Sequence, residues 1–169
     1  SGCVETGAFG NEAYILTGYL NLPKIVELTL YNGYDKVSNQ QLGPKTGDAR
    51  EFKTYGEFFE AYKKQVEYFV NIKIEGNNII EKIYAEYMPV PFLSLVTNGC
   101  IASGKDYNGG GAKYNTNYIQ GVGIGTITDS LAAIKYNVFD NKKFSIEELL
   151  EKRYQKFRTM GEFFENEEE

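Results

Sequence analysis

Histidine is absent from the sequence. Its absence removes Ser–His and Cys–His catalysis, histidine-based zinc motifs and haem ligation through imidazole. Only two cysteines occur, Cys3 and Cys100. They give no disulfide framework and, without histidine, no ordinary structural zinc site, so no metal is expected. Tryptophan is also missing, which leaves the aromatic bulk to 14 tyrosines and 11 phenylalanines. The 18 basic residues are outnumbered by 23 acidic ones, and no basic stripe exists, so nucleic acid is not an expected partner. No apolar run approaches a bilayer's thickness, and nothing resembles a secretory signal. A cytoplasmic protein with no membrane partner is the expectation. Any acid–base chemistry must use Glu, Asp, Lys, Tyr or Cys.

What is present suits a folded domain. Hydrophobic residues make up 42% and aromatics 15% of 169 residues, enough for a sizeable core. Residues 1–10 are Gly-rich and read as a loop. Residues 11–20 mix Ala, Ile, Leu and Tyr and suggest a short helix. Pro23 opens a second helix, which Asn32-Gly33 stops. Residues 33–50 are polar and predict a long surface loop. Thr54 starts a long helix with a Thr54–Glu57 capping box, and Phe59, Tyr62, Val66 and Phe69 mark one face. It runs to about Glu86, with a break expected at Gly76-Asn77-Asn78, and Pro89 and Pro91 end it.

A short helix over 92–101 and a Gly-rich loop over 104–111 follow. Residues 117–122 suggest a strand. Thr128 or Asp129 is expected to cap a helix through Ile134 and Val138. Ser145 caps the last helix, with Glu147 and Glu148 in its first turn. This is an α/β pattern, rich in helix and poor in strand. So few strands cannot make an independent sheet, which points to a slice of a larger fold.

Chemistry concentrates in Gly2-Cys3-Val4-Glu5-Thr6-Gly7. In extended backbone Cys3 and Glu5 share one side, with Val4 turned away. A carboxylate beside a thiol raises the thiol pKa and makes a poor ionic nucleophile. The pair suits a sulfur that reacts as a radical while Glu5 handles a proton. Taken alone, the triplet also fits a surface loop with an incidental cysteine.

Further blocks narrow this. Gly99-Cys100-Ile101-Ala102-Ser103-Gly104-Lys105-Asp106 is followed by Gly109-Gly110-Gly111-Ala112-Lys113-Tyr114-Asn115. Then come Gly121-Val122-Gly123-Ile124-Gly125-Thr126 and Asp129-Ser130-Leu131-Ala132-Ala133-Ile134-Lys135. Together with the Cys3 loop, in this order and spacing up to about residue 150, they resemble the glycyl radical enzymes, the pyruvate formate-lyase-like superfamily. Pyruvate formate-lyase itself carries two adjacent cysteines, whereas Gly2 and Val4 flank Cys3 here. The diol, choline and isethionate branches follow Cys-Val-Glu with proline, where this chain has Thr6-Gly7. Residues 5–14, Thr17-Gly18-Tyr19 and 43–48 look most like the branch that dehydrates trans-4-hydroxy-L-proline.

The resemblance implies a ten-stranded α/β barrel of which residues 1–169 are a partial domain, with the cysteine loop at 1–10. It implies a glycyl radical, installed by an iron–sulfur and S-adenosylmethionine-dependent activating enzyme on a segment that this chain lacks. It implies that Cys3 becomes a thiyl radical, that Glu5 is the acid–base group, and that Tyr19 lines the substrate pocket. A buried core position for Tyr19 stays equally open. The substrate implied is hydroxyproline, the product pyrroline-5-carboxylate, and the full-length enzyme is expected as a homodimer in an anaerobic cytoplasm.

Nothing matches the family's glycyl loop, and residues 153–169 depart from its pattern. The chain alone is therefore expected to be inactive. Another glycyl radical lyase, acting on arylacetates or diols, and a truncated remnant that only binds remain alternatives. Cys100 reads as a small buried hydrophobe. Gly109-Gly110-Gly111 lacks the Lys-Ser/Thr of a phosphate loop and suggests tight backbone packing. The 121–125 glycines lack dinucleotide-fingerprint spacing.

Overall fold

The computed structural model describes residues 7–159. In chain order the elements are β1 (Glu12–Asn21), α1 (Leu22–Leu30), β2 (Tyr34–Asp35), β3 (Gln40–Gln41), α2 (Tyr55–Tyr87), α3 (Pro91–Val96), α4 (Cys100–Ser103), β4 (Tyr114–Val122), α5 (Ile124–Ile134) and α6 (Ile146–Thr159). Short 3-10 turns lie at Ala49–Glu51 and Tyr107–Gly109, and a π-helical turn, Lys135–Asp140, extends α5. The described residues form two compact units: residues 7–21 with 67–122, and residues 22–66 with 123–159.

In the first unit β1 pairs in parallel with β4, from Glu12 opposite Tyr114 to Asn21 opposite Val122. The helix expected over 11–20 is thus a strand. Its residues alternate: Ala13 and Ile15 are buried, while Glu12 and Tyr14 are part-exposed. Alternation of this kind buries one face only in extended backbone. Ala13 and Ile15 join Cys100, Tyr107 and Ala112 in a core cluster with Tyr84 of α2 against it. Tyr107 also closes the edge of β1, its hydroxyl accepting from the Tyr14 N–H at 2.6 Å.

The long helix α2 runs unbroken through Gly76-Asn77-Asn78. Asn77 is buried, and its amide donates to Asn117 Oδ1 of β4 at 3.4 Å, so tertiary contact overrides the local weakness. The helix expected over 92–101 is two, α3 and α4. Thr97-Asn98-Gly99 divides them, with Gly99 at φ +103°. A Cβ on Gly99 would stand 2.7 Å from the Gly111 carbonyl oxygen, and one on Gly111 would stand 2.2 Å from that of Lys105. The glycine run thus contributes close backbone packing.

In the second unit α1 buries Ile25, Val26, Leu28 and Leu30 and packs on α5, whose Ile127 and Ile134 are buried. Each fully buried side chain of this size stabilises by about 1.5–3 kcal/mol. α5 starts four residues before Thr128, at Ile124, with Gly123 as its N-cap at φ +85°. Ser145 caps α6 as expected: its Oγ accepts from the Glu148 N–H at 3.1 Å, and Glu148 Oε2 accepts from the Ser145 N–H at 2.7 Å.

The buried stripe of α2 in this unit is Phe58, Ala61, Tyr62 and Gln65. It lies one residue away from the aromatic stripe of the sequence for two of its members. Gln65 is fully buried and donates to the Pro44 carbonyl at 2.7 Å and to Thr46 Oγ1 at 3.1 Å. The loop over 33–50 is therefore pinned. Asn32 Oδ1 also accepts from the N–H groups of Thr46 and Gly47.

Candidate functional site

Cys3 and Glu5, the residues singled out for radical and proton chemistry, lie outside the described residues. The described chain begins just after them, at Gly7, and leads within five residues into β1. The site is therefore built from what receives that loop.

A tight turn carries the chain from Ala8 to Asn11. The Asn11 N–H donates to the Ala8 carbonyl at 2.9 Å, and Gly10 takes φ +70° at the third position, where glycine has no Cβ to clash. The turn is fixed from α3–α4: the Asn98 N–H donates to the Gly10 carbonyl at 2.7 Å, and the Asn98 amide to Asn11 Oδ1 at 3.1 Å. β4 adds the Tyr114 N–H to the Asn11 carbonyl at 3.0 Å.

Glu12, the first residue of β1, closes the arrangement. Its Oε2 accepts from the Ala8 N–H at 2.8 Å. Its Oε1 accepts from Thr116 Oγ1 at 2.6 Å and from the Tyr118 hydroxyl at 2.5 Å, both on β4. The Thr116 and Tyr118 hydroxyls, with the Ala8 N–H, hold the Glu12 carboxyl below the usual carboxylate range. The same contact raises the Tyr118 phenol. The Tyr14 ring stacks on Tyr118 with centroids 4.2 Å apart. Gly7 passes so close that a Cβ there would meet Glu12 Oε2 at 3.1 Å.

Tyr19 joins this face through a register shift. Tyr14 stands opposite Thr116, but Tyr19 stands opposite Gln120, because an extra residue enters β1 between Leu16 and Gly18. Without that bulge Tyr19 would share the side of Ala13 and Ile15. Gly18 now points toward α2, where a Cβ would lie 2.3 Å from Lys73 Nζ, and Tyr19 points the other way. Tyr19 is 63% exposed and is not part of the core formed by the described residues.

Cys100 is 2% exposed within the core cluster, as its reading as a small buried hydrophobe requires. The sequence reasoning missed Glu12. Its β4 partners lie more than 100 residues away, and the signal that could have found it is the alternation of Glu12 and Tyr14 with Ala13 and Ile15. Among the described residues no group of His, Cys, Asp and Glu is arranged to hold a metal ion, and no helix is long and apolar enough to cross a membrane.

The chain is similar to known proteins. A family model described as pyruvate formate lyase-like matches residues 1–165, running past Arg153, where the sequence pattern was expected to depart. Trans-4-hydroxy-L-proline dehydratase of Clostridioides difficile is 65% identical over 150 residues, which is 89% of this chain and 19% of that protein. The crystal structure of hydroxyproline dehydratase from Clostridioides difficile with trans-4-hydroxy-L-proline bound matches with a TM-score of 0.85, covering 89% of this chain and 19% of that one. A glycyl radical enzyme from Archaeoglobus fulgidus matches with a TM-score of 0.75 at 33% identity, over 89% of this chain and 19% of that one. The chain thus spans about a fifth of the length of the relatives it matches.

Proposed function

The chain belongs to the pyruvate formate lyase-like family, and from that premise we propose that it is the cysteine-loop portion of a longer glycyl radical dehydratase acting on trans-4-hydroxy-L-proline. The observation that carries this reading is the 65% identity to the Clostridioides difficile enzyme over 89% of the chain. The loop chemistry agrees with it, since a thiol two residues from a carboxylate needs no thiolate if sulfur reacts as a radical.

The family's glycyl radical would accept the hydrogen atom of the Cys3 S–H, leaving the unpaired electron on sulfur. Cys3 sulfur takes a hydrogen atom from the carbon next to the ring nitrogen, breaking that C–H bond and forming S–H. Glu5 gives a proton to the neighbouring hydroxyl, which leaves as water. The ring nitrogen loses its proton, restoring the one Glu5 gave up. The S–H hydrogen then returns to the carbon that lost the hydroxyl, and the sulfur radical is regenerated. One hydroxyproline becomes one pyrroline-5-carboxylate and one water, with no external oxidant. Tyr19, exposed on the face shared with Gln120 and Tyr118, is assigned to the substrate pocket.

The partners that follow are a radical-generating activating enzyme that uses S-adenosylmethionine, and a second copy of the full-length chain. An anaerobic cytoplasm is the setting that preserves the radical.

The test uses the full-length protein, activated without oxygen by its partner enzyme and given trans-4-hydroxy-L-proline. Pyrroline-5-carboxylate is expected from the wild type and none from Cys3→Ser or Glu5→Gln. A glycyl radical signal without product would overturn the substrate and direct the search to diols and arylacetates.

A further inference from the structure

Among the described residues, the one carboxylate that ties the exit of the Cys3–Glu5 segment to the sheet is Glu12. Its contacts run in series. Two hydroxyls of β4, from Thr116 and Tyr118, converge on Oε1 and fix the carboxylate, and Oε2 then holds the Ala8 N–H. Ala8 follows Glu5 by three residues and Cys3 by five.

The rest of the turn is held by other groups. Asn98 secures Gly10 and Asn11, and Tyr114 secures the Asn11 carbonyl. Those contacts fix where the turn sits, but they leave the N–H of its first residue, Ala8, to Glu12. A simple cap would need one oxygen and one donor. Here both oxygens are engaged by three donors, which sets the rotamer of the carboxylate as well as its partner. Gly7 is shaped to the same contact, because a Cβ there would press on Oε2 at 3.1 Å.

We propose that Glu12 is a positioning residue of the radical site, setting the place of the Cys3–Glu5 segment through the Ala8 N–H from an anchor on Thr116 and Tyr118. The proposal rests on the roles given above to Cys3 and Glu5. Reacting groups held within about half an ångström of their productive geometry need such support, and a misplacement of about 1 Å can cost about 100-fold in rate.

The substitutions make different demands. Glu12→Ala removes all three contacts. Glu12→Gln keeps an oxygen for the Ala8 N–H, and its amide N–H groups can donate to the hydroxyl oxygens of Thr116 and Tyr118, which rotate to accept. Geometry therefore survives in Gln while charge does not.

The experiment uses the full-length protein in two arms. In the unactivated protein, hydrogen exchange by mass spectrometry reads the Ala8 N–H without any substrate. Glu12→Ala should exchange about tenfold faster in the peptide ending at Asn11, with residues 13–21 unchanged and Glu12→Gln near the wild type. In the activated protein, Glu12→Ala should lower kcat by about 10- to 100-fold, with KM and the yield of glycyl radical unchanged. Glu12→Gln should recover most of that loss.

Wild-type exchange and kcat in Glu12→Ala would overturn the proposal. So would equal losses in the Ala and Gln variants, or a loss that follows the radical yield or the melting temperature. If Glu12→Ala does not fold, the Thr116→Val/Tyr118→Phe double variant decides: a lowered kcat at an unchanged melting temperature supports the anchor, and a wild-type kcat overturns it. A wild type that makes no pyrroline-5-carboxylate would sink the substrate reading alone, because the exchange arm still tests Glu12.

Discussion

Tyr19 stands opposite Gln120 across the parallel β1–β4 pair, and this places it on the face of Thr116 and Tyr118. The pairing depends on one extra residue in β1. A strand repeats every two residues, so a single insertion reverses which side each later residue faces. Glu12 and Tyr14, before the bulge, and Tyr19, after it, consequently line one side. Ala13 and Ile15 face the core cluster.

The exposure of Tyr19 separates the substrate-binding role proposed for it from a stabilising role within the described core. Tyr19→Phe in the full-length enzyme should lower kcat/KM for hydroxyproline by about tenfold, the worth of about one net hydrogen bond. The melting temperature should stay near that of the wild type, since exposed positions tolerate change. Steady-state kinetics with a thermal melt check both. An unchanged kcat/KM would remove the Tyr19 hydroxyl from substrate binding.

Cys100 gives the complementary case. It is buried among Ala13, Ile15, Tyr107 and Ala112. Cys100→Ala should keep full activity with a modest loss of stability. Cys100→Ser should cost more, about 1–3 kcal/mol, because a hydroxyl enters an apolar cluster. Denaturant melts of the two variants, beside activity assays, check the order. Loss of turnover in a folded Cys100→Ala variant would give Cys100 a chemical role that its burial does not suggest.

The parts legible in the sequence were those set by local signals. Pro23 and Asn32-Gly33 bracket α1, and Ser145 with Glu148 marks the start of α6. The family was legible because ordered blocks of residues carry it, independently of any element assignment. The misreadings share a different cause. Residues 11–20 mix helix-compatible residues, and only pairing with residues about 100 positions away makes them a strand. Gly76-Asn77-Asn78 looks like a break until Asn77 meets Asn117. The buried face of α2 includes Ala61 and Gln65, which a count of large apolar residues passes over.

Gly123 is a local signal with a tertiary reason. It takes φ +85°, and a Cβ there would stand 2.6 Å from the Pro23 ring, where α1 meets the start of α5. Gly123→Ala combines a left-handed backbone penalty of about 1–2 kcal/mol with overpacking of about 1–3 kcal/mol. Gly125→Ala is the control, since nothing lies within 4 Å of its built Cβ and its φ is ordinary. Thermal melts should show a large drop for the first and little change for the second. Equal effects would mean that helix propensity, rather than the Pro23 contact, governs the site.

Asp35 is the group expected to make stability depend on pH. It is 5% exposed and accepts from Lys24 Nζ at 2.6 Å, from Ser38 Oγ at 2.7 Å and from the N–H groups of Val37 and Ser38. The bond from Lys24, followed by that from Ser38, holds its carboxyl well below the usual carboxylate range. A depressed folded-state pKa means that the unfolded chain takes up the proton first. The stabilisation is therefore complete above the unfolded pKa, about 3.9, and is lost as pH falls from there through the folded value. Asp35→Asn keeps the shape but not the charge, and its amide opposes Lys24. Melting temperatures between pH 7 and pH 2 should show the variant below the wild type at neutral pH, with a shallower decline in acid, so that the curves converge. Parallel curves would assign the acid sensitivity to other carboxylates.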